Sequence, residues 1–317
     1  MENTVYPIAY GCKNKDENIR ANSRSGGVFT ALSDYVLDIG GVIYGCALDK
    51  NFMAVHKRAT TKQERDEFRG SKYVQSVMGN TYLQVKEDLN NSLNVMFSGT
   101  PCQVDGLKRF LSVSNVDMTN LITVDLVCHG VPSPKVWSDY LKYRKEKMGS
   151  DIVQVDFRNK KDFGWKDHVE TLTFNNGKIV SSRYYRDLFY SDYIIRRSCH
   201  ECNYTSKKRV ADITLADFWG IDSLDSSFND NKGVSLILIN SALGKNLFDK
   251  ISNKLICEEF DSSKVNQTSL EHPHYYKAKK EEFWKDYNQN GIEFVMKKYV
   301  IGNPIVHRLK EIYRNHK

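Results

Sequence analysis

Cys199-His200-Glu201-Cys202 sets two thiols two residues apart, so both sulfurs can turn toward one ion from a single bend of chain. That spacing serves zinc, iron–sulfur clusters and redox dithiols alike. A redox dithiol normally opens a helix straight after a strand. This pair instead follows a helical segment and precedes the loop 203–209, which argues against that chemistry. Two more cysteines sit in glycine- and proline-marked turns directly after apolar strands: Ser98-Gly99-Thr100-Pro101-Cys102 and Cys128-His129-Gly130-Val131-Pro132. Neighbouring parallel strands lie about 4.8 Å apart, so two such turns can meet at one small site. Cys102, Cys128, Cys199 and Cys202 are therefore the candidate metal ligands. The competing reading makes Cys102 and Cys128 small buried hydrophobes. Cys46 and Cys257 lie in apolar stretches and read as core; Cys12 is unassigned.

Three turns are rich in hydrogen-bond donors. Ser25-Gly26-Gly27 opens a helical pattern, as a phosphate cradle does, or as a plain serine N-cap does. Gly70 to Ser76 groups Ser71, Lys72, Tyr73 and Ser76, which suits a ring that stacks and an anion that needs donors; a surface loop is the alternative. Ser98-Gly99-Thr100 is the third. Asp217, followed by Phe218 and Trp219, is placed to line a pocket, and His129 follows a candidate ligand. Either is a candidate acid or base, with a structural hydrogen bond as the alternative for His129 and a core role for Trp219. No Walker loop, Ser-His-Asp arrangement or His-Glu-x-x-His motif occurs.

These residues need elements to hold them. Val28, Leu32, Tyr35, Val36 and Ile39 recur at helical spacing until Gly40-Gly41. Val42–Tyr44 and Val55–Ala59 read as strands, Gln63–Phe68 as a helical turn, and Tyr82–Leu89 as a helix. Asn94–Phe97 and Leu121–Val127 are apolar strands, each followed by a turn and a helix (104–111 and 137–145). Two such units in succession predict a parallel layer, whose ligands collect at the carboxyl ends of its strands. From Asp151 the pattern alternates, and Asn175-Asn176-Gly177 marks a hairpin. Tyr184–Ile195 reads as helical, Asp212–Asp217 and Val234–Ile239 as buried strands. The last 70 residues read as helical, aromatic and basic, serving packing or a dimer face. The expected class is α/β: a mixed sheet of strand–turn–helix units, a β-rich segment and a helical C-terminal region. The expected division is 1–90, 91–240 and 241–317.

The bulk properties narrow the function. The chain has 317 residues, 40% hydrophobic and 27% charged, the composition of a soluble globular protein. Its longest apolar runs fall far short of the ~20 residues a membrane helix needs, and its first residues lack a signal-peptide layout. A cytoplasmic protein is expected, in which seven cysteines mean metal or catalysis rather than disulfides. The net charge of +7 is scattered in short runs, among them Arg196-Arg197 and Lys207-Lys208-Arg209. That pattern reads as a solvated surface, or as a rim attracting a phosphorylated cofactor or acidic redox partner, and not as a nucleic-acid face.

Taken together, six segments resemble the coenzyme F420 hydrogenase/dehydrogenase beta-subunit family: residues 23–29, 70–76, 97–103, 125–133, 198–202 and 211–221. They fall in order over about two-thirds of the chain. The resemblance implies FAD and a [4Fe–4S] cluster ligated by Cys102, Cys128, Cys199 and Cys202. It implies that Ser25, Gly26, Gly27, Ser71, Lys72, Tyr73, Ser76, Ser98, Gly99 and Thr100 contact FAD. It implies electron flow between a ferredoxin-like carrier or partner subunit and a hydride-accepting small molecule; in methanogens this is the deazaflavin coenzyme, whose pocket is not legible in these residues. The chain has no ferredoxin-like module of its own, so at most one cluster is expected. A zinc-stabilised binding protein using the same four cysteines is the alternative.

Overall fold

The chain forms the strands β1 (Ile8–Asn14), β2 (Val42–Leu48), β3 (Ala54–Ala59), β4 (Val95–Gly99), β5 (Leu121–Leu126), β6 (Ile152–Asp156), β7 (Glu170–Phe174), β8 (Ile179–Ser182), β9 (Ile213–Asp217), β10 (Ser235–Ile239) and β11 (Leu255–Phe260), with β-branched and apolar runs in β2, β4, β5, β9 and β10. The structure, a computed structural model, describes residues 6–302. Eight strands form one sheet in the order β11-β1-β10-β9-β5-β4-β2-β3. At its centre β2, β4, β5 and β9 are parallel. β3 is antiparallel to β2, and the β10-β1-β11 side is antiparallel throughout. The fold is thus mixed α/β. Every residue of β10 is buried, as expected of a strand covered on both faces.

The helix Val28–Asp38 lays Val28, Ala31, Leu32 and Val36 on this sheet. Gly40, at φ +77°, then stops it as the doublet predicted. The helices Thr81–Asn90, Pro101–Val113 and Pro134–Met148 follow in their expected places. Strands β6, β7 and β8 make a separate antiparallel sheet, with Gly177 at φ +80° in the β7–β8 turn. It buries Leu172 and Phe174 against Trp137, Tyr140 and Tyr185.

Several expectations change. β1 carries no sequence signal as a strand, yet it lies between β10 and β11. β2 runs on to Leu48 because β3 pairs with it along six residues. The helix from Tyr184 ends at Tyr190, not Ile195. Asp192 turns to φ +65°, and Ile194 and Ile195 pair with the 131–133 turn instead. The C-terminal region holds the helices Ala242–Ile251 and Lys279–Val295, but β11 between them joins the large sheet. Segments assigned to 1–90, 91–240 and 241–317 therefore interleave in one sheet. The basic residues beyond 302 lie outside the described residues. Among the described residues no helix is long and apolar enough to cross a membrane.

Candidate functional site

Because β2, β4, β5 and β9 are parallel, their carboxyl ends share one edge. Ser98 of β4 lies opposite Val124 of β5, and Leu126 of β5 opposite Leu215 of β9. The turns carrying Thr100, Cys128 and Trp219 leave from that edge.

Main-chain bonds bring the thiols together. The Gly130 N–H donates to the Cys128 sulfur, and the Val131 N–H to the Cys199 sulfur. The 195–199 segment zips onto the same turn, with the Arg196 N–H on Val131 O at 3.0 Å and the Ser133 N–H on Ile194 O at 2.9 Å. Gly130 stands at φ +138°, and a Cβ there would crowd Ile195 Cδ1 at 3.1 Å, so this turn requires glycine. Cys102 lies within the first turn of the helix Pro101–Val113, not ahead of it, with Thr100 Oγ1 3.2 Å from its sulfur. The loop after Cys202 is stapled to that helix: Tyr204 OH donates to Asp105 at 2.7 Å and Lys108 Nζ to Val210 O at 2.7 Å.

Arg209 locks the same loop to β5 through Asp125 at 2.9 Å, both side chains at most 1% exposed. The sequence placed Arg209 on a solvated surface. It is buried because Asp125, Leu126 O and Tyr204 O all take its donors.

Burial pushes the Cys128 thiol up to about 12, with Cys199, Cys102 and Cys202 adding to the rise against the Gly130 N–H. Burial likewise raises Cys199. Buried thiols that resist ionisation in isolation are the kind a cation stabilises.

Beside the thiols opens a cavity of about 750 Å³. Gly27, at φ +83°, starts the helix Val28–Asp38 without a side-chain cap, and residues 27–30 line the cavity. Ser25 lines it too, but its hydroxyl donates to Val234 O at 2.7 Å. Gly26 does not line it. Its N–H donates to Ser235 Oγ, and a Cβ there would lie 2.1 Å from Cys12 O, so the glycine lets the chain cross β1.

Ser71, Lys72, Tyr73, Ser76, Ser98, Gly99 and Thr100 all line the cavity. Several are already engaged. Lys72 donates to Glu67 O and Arg69 O, and burial lowers its ammonium to about 8. Tyr73 OH accepts from Arg158 at 3.1 Å, Ser76 Oγ from Gln103 at 2.8 Å, and Ser98 Oγ donates to Tyr44 O at 3.0 Å. Thr100 N–H is held by Gln103 Oε1.

Asp217 reaches the cavity with both oxygens taken, by Arg158 at 2.6 Å and Trp165 Nε1 at 3.0 Å. Trp219 lines it, stacked on Trp165 at 5.1 Å, whereas Phe218 is core. His129 lines it and pairs through Nε2 with Asp192 at 2.7 Å. His274, whose ring lies 3.4 Å from that of His129, closes the group. Burial raises Asp192, but bonds from His129 and Lys277 outweigh it and hold the carboxyl at about 2.

Sequence reasoning missed Arg24, His56, Arg158 and His274, and took the cavity-lining Cys46 for core. Arg24 lay inside the Ser23–Phe29 segment; the other three sit on elements with no local motif. With Arg69 and Lys72 these arginines give the wall a positive bias, for Asp217 is the one carboxylate residue among the described lining residues. Arg24 Nε, His56 Nδ1 and Arg158 Nε are buried without partners.

The N-terminal part of the coenzyme F420 hydrogenase/dehydrogenase beta subunit matches residues 9–84, and the C-terminal part residues 93–264. No curated protein matches the chain. A solved structure, the xenon-derivatised F420-reducing [NiFe] hydrogenase complex from Methanosarcina barkeri, contains a similar chain, with TM-score 0.56, 18% identity, and coverage of 91% of this chain and 89% of that one. At that identity the likeness is one of fold. With more than half of its residues matched, this chain belongs to the coenzyme F420 hydrogenase/dehydrogenase beta-subunit family of oxidoreductases.

Proposed function

We propose that the chain is a flavin- and [4Fe–4S]-dependent oxidoreductase, moving electrons between a one-electron carrier and a hydride-accepting small molecule. The observation that carries this reading is the shared wall: Cys128, one of the four thiols, also lines the cavity, with His129 next to it. Cys102, Cys128, Cys199 and Cys202 would hold the cluster, and the N–H groups of Gly130 and Val131 would steady its sulfurs.

The cavity residues fit a flavin. The helix start at Gly27 and the Arg24, Arg69 and Lys72 cations suit a pyrophosphate. Tyr73 and Trp219 offer aromatic surface, and the unpartnered Arg24 Nε and His56 Nδ1 offer a donor and an acceptor. When bound, a cluster supplies one-electron steps and a flavin links them to hydride chemistry. His129, fixed by Asp192, holds an imidazole at the cavity wall where a substrate proton is exchanged. Cys102 is exposed, so a ferredoxin-like carrier or partner subunit can approach the thiols there. The seven free thiols suit a reducing, cytoplasmic setting.

Anaerobically purified protein should be brown-yellow, with about four irons and one flavin per chain. Colourless protein holding one zinc and no flavin would overturn the reading.

A further inference from the structure

The C-terminal region, read from the sequence as packing or a dimer face, sends one cation toward the thiol region. Lys280, near the start of the helix Lys279–Val295, is 4% exposed. Its Nζ donates to Ile195 O at 2.5 Å, to His200 Nε2 at 2.8 Å and, more weakly, to Asp192 O at 3.4 Å. His200 Nδ1 lies 2.8 Å from His274 O, so it carries the proton and leaves Nε2 to accept from the lysine. All three acceptors are neutral. Among the described residues no carboxylate lies within 4.0 Å of Nζ; the nearby Asp192 carboxylate is engaged by His129 and Lys277. The Tyr276 ring, 5.6 Å away, is a weak partner.

A buried ammonium with only neutral partners is costly. Through His200, the neighbour of Cys199 in the chain, the ammonium is held beside the thiol turn, where a thiolate formed at Cys199 would offset its charge. The bridge is short in sequence: His200, which the lysine holds, lies between Cys199 and Cys202.

We infer that Lys280 is the buried counter-charge of the four-thiolate centre, and that it raises the centre's reduction potential while fixing the Cys199–Cys202 turn through His200. The inference rests on the iron–sulfur reading above. Four thiolates around a cluster carry net negative charge in either redox state, and reduction adds one more. A fixed cation nearby favours the reduced state. The same contact accounts for the histidine in Cys-His-Glu-Cys, a residue whose side chain reaches the lysine and not the cavity.

The test is an anaerobic redox titration of wild type, Lys280→Gln, Lys280→Arg and Lys277→Met, each with iron analysis. Lys280→Gln keeps a donor toward His200 and removes the charge. Its ratio of reduced to oxidised centre at fixed ambient potential should fall by about tenfold or more, about 59 mV for a one-electron couple. Lys280→Arg should restore most of the shift. Lys277→Met should change the ratio less, since Asp192 already compensates that lysine. If Lys280→Gln loses iron while Lys280→Arg retains it, the charge is needed for assembly, which supports the inference. An unchanged potential in an iron-replete Lys280→Gln protein overturns it, as does equal loss of iron in Gln and Arg variants. Wild-type protein without iron overturns the cluster reading itself, and that shows before any variant is measured.

Discussion

The thiol group and the cavity share the Cys128–Pro132 turn, yet they are built in opposite ways. The thiol group is held by main-chain bonds, one buried ion pair and a hydroxyl bond: Gly130 and Val131 amides on sulfur, Arg209 on Asp125, Tyr204 on Asp105. Among the described residues, its one buried polar atom without a partner is Asp125 Oδ1. The cavity is wide and positively lined, and keeps buried polar atoms without partners at Arg24, His56 and Arg158. A site braced by the main chain suits a group that stays in place through turnover. An open wall with unpaired donors and acceptors suits a ligand that completes it. The difference assigns separate tasks to two sites that touch.

The sharpest way to break that division is to remove a shared cysteine. Cys128→Ser should lose nearly all bound iron, as measured by metal analysis, while flavin fluorescence titration shows retained binding. Loss of both would mean that the two sites are one.

Next in size is the buried ion pair. Arg209→Met leaves the buried Asp125 carboxyl without its cation, and should cost about 3–5 kcal/mol in urea unfolding. It should also loosen the Cys199–Cys202 loop, read as faster iron loss to a chelator. A cavity variant should behave differently. Arg24→Met is expected to weaken flavin binding by roughly tenfold, the loss of one charge-assisted contact, and to leave iron content unchanged.

A pH effect separates the sites further. Burial holds the His56 imidazole down to about 4, helped by Lys72. The unfolded group titrates near ~6.5, so the unfolded chain binds the proton more readily. Stability of flavin-free protein should therefore be full above about 6.5 and fall as pH drops toward 4. His56→Gln should flatten that slope in denaturant titrations. The smallest effect belongs to Tyr204→Phe, which removes one hydroxyl bond to Asp105 and should cost about 0.5–1.5 kcal/mol.

Local patterns carried much of this architecture. Strand–turn–helix units around 94–111 and 121–145 were legible because strand and turn chemistry coincide there, and their parallel pairing put two cysteines on one edge. β1 was not legible, for its burial comes from β10 and β11 on either side and not from its own periodicity. The helix expected through Ile195 failed because pairing with the 131–133 turn overrode helical propensity. Of the candidate site, the cysteines stood out by type and setting. The cations did not: Arg158 follows β6, and Lys280 lies more than 75 residues beyond the thiols it approaches. Only the tertiary fold gives such residues a place.

The most direct measurement follows electrons across the shared wall. Flavin-loaded wild type and a Cys102→Ser/Cys199→Ser variant would be mixed anaerobically with a reduced one-electron carrier in stopped flow. The variant should bind flavin as tightly as wild type and reduce it at least ~100-fold more slowly, on the scale of losing a transition-state contribution of about 2.7 kcal/mol. Equal rates of flavin reduction in the two proteins would contradict a thiol-held centre that feeds the cavity.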